Sequence, residues 1–179
     1  MVHNDLVERA IEFAEQAHGR IGQVRMGTKV PYIVHPMRVM RRVMSHPGAS
    51  QEMIAAAVLH DTVEDTGVSL EDIRDQFGTA VADIVDDLTN RYTKDRWPQH
   101  NRSSRKQMEI DRLSRASREA KIIKMIDRID NLHEGGFSGK FMKLYADESR
   151  ALADAVGDAD SALKDELIKE IEAVERQTE

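Results

Sequence analysis

The sequence predicts an all-α protein, a compact globular bundle of about eight or nine helices. Three observations carry that expectation. Every strong hydrophobic repeat has helical spacing, none alternates convincingly with the period of two that a half-buried strand needs, and caps, glycines and prolines punctuate the repeats at helical lengths. At 179 residues the chain is long enough to bury a substantial core without staples, and one domain spanning 1–179 is expected.

Asn4 is placed to cap a first helix that turns Leu6, Ala10, Phe13, Ala14 and Ala17 inward, with Gly19 after it. Residues 19–34 carry Gly, Thr and Pro and read as a loop. Pro36 suits the first turn of a second helix, whose stripe is Val39, Met40, Val43 and Met44, up to Pro47. A third helix is expected from about Ser50 to Asp65, stopped near Gly67. The S-L-E-D at 69–72 resembles a capping box opening a short helix that ends at Gly78. A fifth helix, about Thr79 to Thr89, lines up Ala82, Val85 and Leu88. The polar, basic stretch 90–104, interrupted by Pro98, reads as a long loop or lid. Helices resume at about 103–113 and 117–132, G-G-F-S-G at 135–139 breaks the pattern, and two more follow at about 140–156 and 159–176.

Composition excludes several classes. Without cysteine there are no disulfides and no thiolate metal sites. No apolar run approaches the roughly 20 residues of a membrane span. The opening M-V-H-N-D-L-V-E-R-A has no basic segment leading into a hydrophobic stretch, so a cytoplasmic location is the default expectation. The net charge of −6 hides an asymmetry: residues 91–128 hold 12 Lys and Arg against 5 Asp and Glu, and the tail from Asp147 holds 11 acids against 4 bases. A local basic stretch in an acidic protein suits a small polyanion better than a long nucleic acid, although a solvated surface gives the same pattern. The segment has one tryptophan, Trp97, which offers no stacking platform of the kind single-strand binders use.

The chemistry concentrates where the apolar run A-A-A-V-L (55–59) meets His60, Asp61, Glu64 and Asp65. Three carboxylates this close repel one another, and a divalent cation would turn that repulsion into attraction. His60 and Asp61 can share one ion if they sit at a helix end. His35, in Y-I-V-H-P, is held at the mouth of the second helix. Asp127 lies among Ile123 and Ile126 on an apolar face, where a carboxylate is costly unless paired or metal-bound. Each piece alone has an ordinary reading: a satisfied histidine, or an aspartate paired with Lys124 or Arg128.

Together, H-P at 35–36, H-D-x-x-E-D-T at 60–66 and I-K-x-x-D-R-x-x-N at 123–131 resemble the HD superfamily of metal-dependent phosphohydrolases. More narrowly they resemble the hydrolase domain of RelA/SpoT-type proteins and the free-standing small alarmone hydrolases, including the metazoan SpoT homologue. The likeness extends to A-H-G-R-I-G-Q-V-R (17–25), P-Y-I-V-H-P (31–36), F-G-T-A-V-A-D-I-V-D-D-L-T (77–89) and the Tyr145 helix, covering about residues 5–155. It implies a metal, usually Mn²⁺, on His35, His60, Asp61 and Asp127; Fe²⁺ or Zn²⁺ would suit the same donors. It implies that Glu64 and Asp65 orient or deprotonate the attacking water, that Arg25 packs on a purine, and that Asn131 and Tyr145 face the nucleoside. Thr89 and Lys124 are further candidate wall residues, and Arg128 either orients Asp127, meets phosphate or forms a structural ion pair.

The implied reaction removes the 3′-pyrophosphate of ppGpp or pppGpp. Departures fall around the base and phosphate subsites. Met26 stands where the family usually has lysine, R-M-G-T-K-V-P is one residue longer than the commonest form, and Ile129-Asp130 replaces the usual pair before Asn131. Lys29 is the candidate to restore the missing charge, and an adenosine alarmone such as ppApp stays open. About 47 residues follow Leu132, too few for a synthetase domain, so hydrolysis without synthesis is expected. The alternatives are the same scaffold acting on another nucleotide such as NADPH, or a non-catalytic alarmone-binding module. A small-molecule nucleotide is the expected partner, with no nucleic acid or membrane, and nothing in the sequence requires a homo-oligomer.

Overall fold

The computed structural model describes residues 5–134 and 139–178. Among these there are ten helical segments and no strand: α1 (Asp5–Arg20), α2 (Val34–Met44), α3 (Gln51–Leu59), α4 (Thr62–Asp65), α5 (Leu70–Phe77), α6 (Thr79–Leu88), α7 (Arg102–Leu113), α8 (Arg118–Glu134), α9 (Gly139–Val156) and α10 (Ser161–Thr178). The expected all-α class is what forms. The predicted cap Asn4 and the break at 135–138 lie outside the described residues. Backbone contacts group the chain into two compact units, Met1–Thr89 and Asn90–Glu179.

In the first unit α3 is the central helix. Met53 to Leu59 are all buried, and α1, α2 and α6 pack around it. Ala55, Ala56 and Ala57 have no exposure at all, so these small residues let neighbouring helices approach closely. Ser50 caps α3 by accepting from Met53 N at 3.1 Å. The predicted capping box forms: Ser69 Oγ accepts from Asp72 N while the Asp72 carboxylate accepts from Ser69 N at 2.9 Å. One stripe residue departs from expectation. Met44, in the last turn of α2, is exposed.

The single helix expected over 50–65 is two. It stops after Leu59, passes through a turn at His60-Asp61, and resumes as the four-residue α4. The loop before α2 is also more ordered than its composition suggests. Val24 and Pro31 form an isolated antiparallel bridge, with Arg25 N donating to Val30 O at 2.9 Å and Tyr32 N to Gln23 O at 3.0 Å. Lys29 turns the tip with φ of 61°.

The second unit is built on α8, whose Ile122, Ile123, Met125, Ile126, Ile129 and Leu132 are buried. The acidic C-terminal helix α10 packs against α8 and α9 through Leu163, Leu167, Ile171 and Val174, and Lys164 and Glu175 form ion pairs with Asp154 and Arg150 of α9. In the 90–101 segment Trp97 is not isolated: its ring lies 5.4 Å from Tyr92 and 5.6 Å from His100. Together with the bond from Arg105 Nη1 to His100 O, these contacts give the expected loop a small aromatic core.

Gly157 closes the turn between α9 and α10. A Cβ there would lie 2.5 Å from Ala153 O, a backbone atom that cannot swing aside. Gly157→Ala should therefore destabilise the protein by about 1–3 kcal/mol, as overpacking typically does, read as a lowered denaturant midpoint at unchanged m-value.

Candidate functional site

The interruption of the α3–α4 run builds the site in the first unit. In a continuous helix, consecutive side chains diverge by about 100°. At the turn, with Asp61 at φ −100° and ψ −5°, His60 Nε2 and Asp61 Oδ2 come within 2.9 Å. His35, in the first turn of α2, brings its Nε2 to 3.8 Å from the same oxygen and its ring to 5.3 Å from that of His60. Each imidazole has one ligating nitrogen within 4.8 Å of the other's. Both histidines are buried.

Hydrogen bonding sets which nitrogen of His60 is available. Its Nδ1 donates to Ala57 O at 2.9 Å, which in the neutral imidazole leaves Nε2 as the lone-pair nitrogen, and Nε2, 2.9 Å from Asp61 Oδ2, makes no hydrogen bond. A lone pair pressed against a carboxylate oxygen is repulsive. Two ligands of one ion held about 2.1 Å away at right angles sit about 3 Å apart, so the spacing matches an edge of a coordination sphere. Two imidazoles and a carboxylate suit a divalent transition metal without choosing among Mn²⁺, Fe²⁺ and Zn²⁺. Tyr32 orients the acid, its hydroxyl donating to Asp61 Oδ2 at 2.6 Å.

One turn on, Glu64 and Asp65 lie at the exposed end of α4. Gln23 Nε2 donates to Asp65 Oδ2 at 2.8 Å, and Gln23 Oε1 lies 2.6 Å from Nδ1 of the buried His18. Surrounding protein atoms, and next the charge of Asp61, push the Asp65 carboxyl above the usual aspartate range, against opposing pulls from Gln23, His18 and His60. Arg25 rests its guanidinium 5.3 Å over the Tyr32 ring. Lys29 is exposed at the loop tip, while Thr89 is buried and its hydroxyl donates to Val85 O at the end of α6 at 2.8 Å.

In the second unit Asp127 is buried on α8. Lys124 Nζ reaches its Oδ2 at 2.9 Å and Asn131 Nδ2 its Oδ1 at 2.6 Å. Two residues expected as pocket wall and nucleoside contact are therefore also holders of the aspartate. Arg128 neither bonds Asp127 nor forms an ion pair among the described residues. Its Nη1 donates to Ser149 Oγ at 3.1 Å and its guanidinium lies 4.4 Å over the Tyr145 ring. Tyr145 also stacks on Phe141 at 6.0 Å.

A family model described as "HD domain" matches residues 10–152. This chain belongs to the HD-domain family. The Xenopus tropicalis guanosine-3′,5′-bis(diphosphate) 3′-pyrophosphohydrolase MESH1 is 34% identical over 131 residues, covering 72% of this chain and 69% of that protein. An Aquifex aeolicus protein of the same enzymatic name is 40% identical over 87 residues, 49% of this chain but only 12% of its own length. The fold matches that of a metazoan orthologue of SpoT that hydrolyses ppGpp, with a TM-score of 0.79 over 96% of this chain and 94% of that one, at 24% identity.

Three side chains around the candidate site were not expected from sequence: Tyr32, Gln23 and His18. All lie inside segments that carried the family likeness, but their types have no metal or acid–base signature at those spacings. The Val24–Pro31 bridge lies between Gln23 and Tyr32 and pairs the two stems that carry them. Because Tyr32 fixes the orientation of Asp61, Tyr32→Phe should weaken divalent-metal affinity by about 10- to 100-fold, as loss of such outer partners typically does. Chelator competition on folded protein measures it.

Proposed function

We propose that this protein is a metal-dependent phosphohydrolase that removes the 3′-pyrophosphate from guanosine or adenosine alarmones (ppGpp, pppGpp or ppApp), leaving a nucleoside 5′-phosphate and pyrophosphate. The observation that carries the reading is the turn at His60-Asp61, which points an imidazole and a carboxylate at one spot beside His35. The named activity of the Xenopus relative supports the substrate class. Asp127 is the fourth ligand in this reading, supported by its burial on an otherwise apolar face, and Mn²⁺ is the metal proposed. Residues 1–179 then act as one hydrolase domain, in keeping with a family match that runs through both compact units.

A divalent cation on these ligands supplies Lewis acidity, acidifying water and offsetting phosphate charge. The chain's own groups do the rest. Asp65, anchored by Gln23, and Glu64 beside it take the proton of the attacking water. The water oxygen bonds to phosphorus, the bond from phosphorus to the 3′ oxygen breaks, and that oxygen leaves as the nucleoside hydroxyl after gaining a proton. Arg25 stacks on the purine; Tyr145 and Asn131 face the nucleoside. Lys29 and Thr89 complete the surroundings of the nucleotide, and Lys124 and Arg128 bring positive charge to its phosphates. The reaction needs no nucleic acid, membrane or second subunit, and the proposed setting is the cytoplasm. Among the described residues no helix is long and apolar enough to cross a membrane.

Pure protein with Mn²⁺ should release pyrophosphate from ppGpp or ppApp, and Asp61→Ala should abolish release. Intact nucleotides after incubation with metal-replete enzyme would eliminate this function, and tight binding without turnover would mark a sensor instead. Asp65→Asn should lower kcat by about 10²- to 10⁴-fold, the range for a positioned acid–base group, with KM for the nucleotide changed far less. Steady-state kinetics separate the two constants.

A further inference from the structure

The last turn of α1 holds a buried histidine to which the chemistry above gives no task. His18 is 2% exposed. The Tyr32 ring lies 4.8 Å from its own, tilted by 38°, so packing fixes the plane of the imidazole. The backbone ties the same residues together: Gln23 N donates to His18 O at 3.1 Å, and Tyr32 N donates to Gln23 O at 3.0 Å. Gly22, with φ of 60°, makes the left-handed step that lets the chain turn back and close the first of these bonds. Gln23 is thus held on both sides of its backbone, and the freedom left to it lies in its side chain.

A glutamine amide has two unlike ends, and a half-turn about its last bond exchanges them. At Gln23 the end that faces α4 decides whether Asp65 is held or repelled. An ionised carboxylate only accepts hydrogen bonds, so the Nε2 end must face Asp65 Oδ2, at 2.8 Å. Oε1 then faces His18 Nδ1 at 2.6 Å, and that nitrogen must carry a proton. In the neutral imidazole this leaves Nε2 with the lone pair, buried and without a hydrogen-bond partner among the described residues. An unpaired buried polar atom costs stability. An apolar side chain at position 18 would avoid that cost, and it would leave the Gln23 amide free to turn.

We propose that His18 is a positioning residue for hydrolysis: its Nδ1–H locks the Gln23 amide with the N–H end toward Asp65, and so fixes the carboxylate that takes the proton of the attacking water. The inference rests on the proposed role of Asp65 for its effect on turnover, and on the two hydrogen bonds for the lock itself. In the proposed reaction His18 touches neither metal nor water. It acts on where the Asp65 oxygen sits, and a misplacement of about 1 Å in a reacting group can cost on the order of 100-fold in rate. Nucleotide binding does not depend on that oxygen, so the signature is a fall in kcat with KM preserved.

Two measurements on the full chain test this. In the first, nitrogen-15 NMR of the metal-free protein locates the His18 proton. Nδ1 should carry it, and in His18→Leu the side-chain amide signals of Gln23 should move toward those of a free glutamine. A bare Nδ1, or unchanged Gln23 signals in the variant, overturns the lock. In the second, steady-state hydrolysis of ppGpp with Mn²⁺ is followed in variants whose circular-dichroism spectra match wild type. His18→Leu should lower kcat by about 10- to 100-fold, the scale of a lost outer partner, with KM changed by less than about twofold. His18→Asn, whose amide N–H can stand near the place of Nδ1–H, should recover most of that loss. Added to Asp65→Asn, His18→Leu should cost nothing further, because it acts through Asp65. Additive losses, or equal losses in the Leu and Asn variants, overturn the positioning role. Gln23→Met, at a half-buried loop position, should reproduce the fall in kcat, and it carries the test if His18→Leu does not fold; full activity of Gln23→Met overturns the proposal. If wild type cleaves neither ppGpp nor ppApp, the hydrolase reading fails, and the NMR measurement still decides whether His18 sets the amide.

Discussion

The first unit is organised around one interruption. A helix as apolar as α3 gains most by continuing through the core, yet it ends at Leu59 so that His60 and Asp61 can face the same point. That turn costs intrahelical hydrogen bonds, and the structure offsets the loss locally. The imidazole donates to Ala57 O, Thr62 Oγ1 donates to Leu59 O at 2.7 Å, and Asp65 N returns to Asp61 O at 3.0 Å. The rest follows from holding this turn still. Small alanines let α1, α2 and α6 close around α3, α2 delivers His35 at its first turn, and the loop before α2 supplies Tyr32.

Polar satisfaction is distributed unevenly, and the unevenness is informative. Asp61, Asp65 and Asp127 each have side-chain partners: Tyr32, Gln23, and Lys124 with Asn131. Such partners set direction more than they add stability, since a hydrogen bond is worth only about 0.5–1.5 kcal/mol net. Their value is in keeping a carboxylate oxygen in one place, where a freely rotating acid would sample many.

Helix type and order were legible from sequence because both follow from a 3.6-residue repeat and from caps such as Ser50 and Ser69, which act within a few residues of themselves. The α3–α4 break was not. Nothing in V-L-H-D-T-V-E-D breaks helices, since it has no glycine or proline, so the turn is imposed by tertiary packing and not by local preference. Tertiary placement also hid Tyr32 and Gln23, which flank the Val24–Pro31 bridge of the folded loop, and His18, which α1 carries beside α4. Arg128 shows the converse. Its place beside Asp127 in sequence suggested a partnership, but adjacent helical residues point apart, and its side chain is directed to α9 instead. Trp97 likewise gained its ring neighbours from loop conformation, which composition does not encode.

The Val24–Pro31 bridge has a further consequence. It clamps the two stems of the loop, with Gln23 and Tyr32 paired on the site side of the clamp and 26–29 projecting beyond it. Residues at the tip can be added, removed or exchanged without disturbing the stems, so the extra residue in R-M-G-T-K-V-P leaves the reach of Tyr32 to Asp61 intact. Variation at the tip is in this way mechanically insulated from the contact between Tyr32 and Asp61.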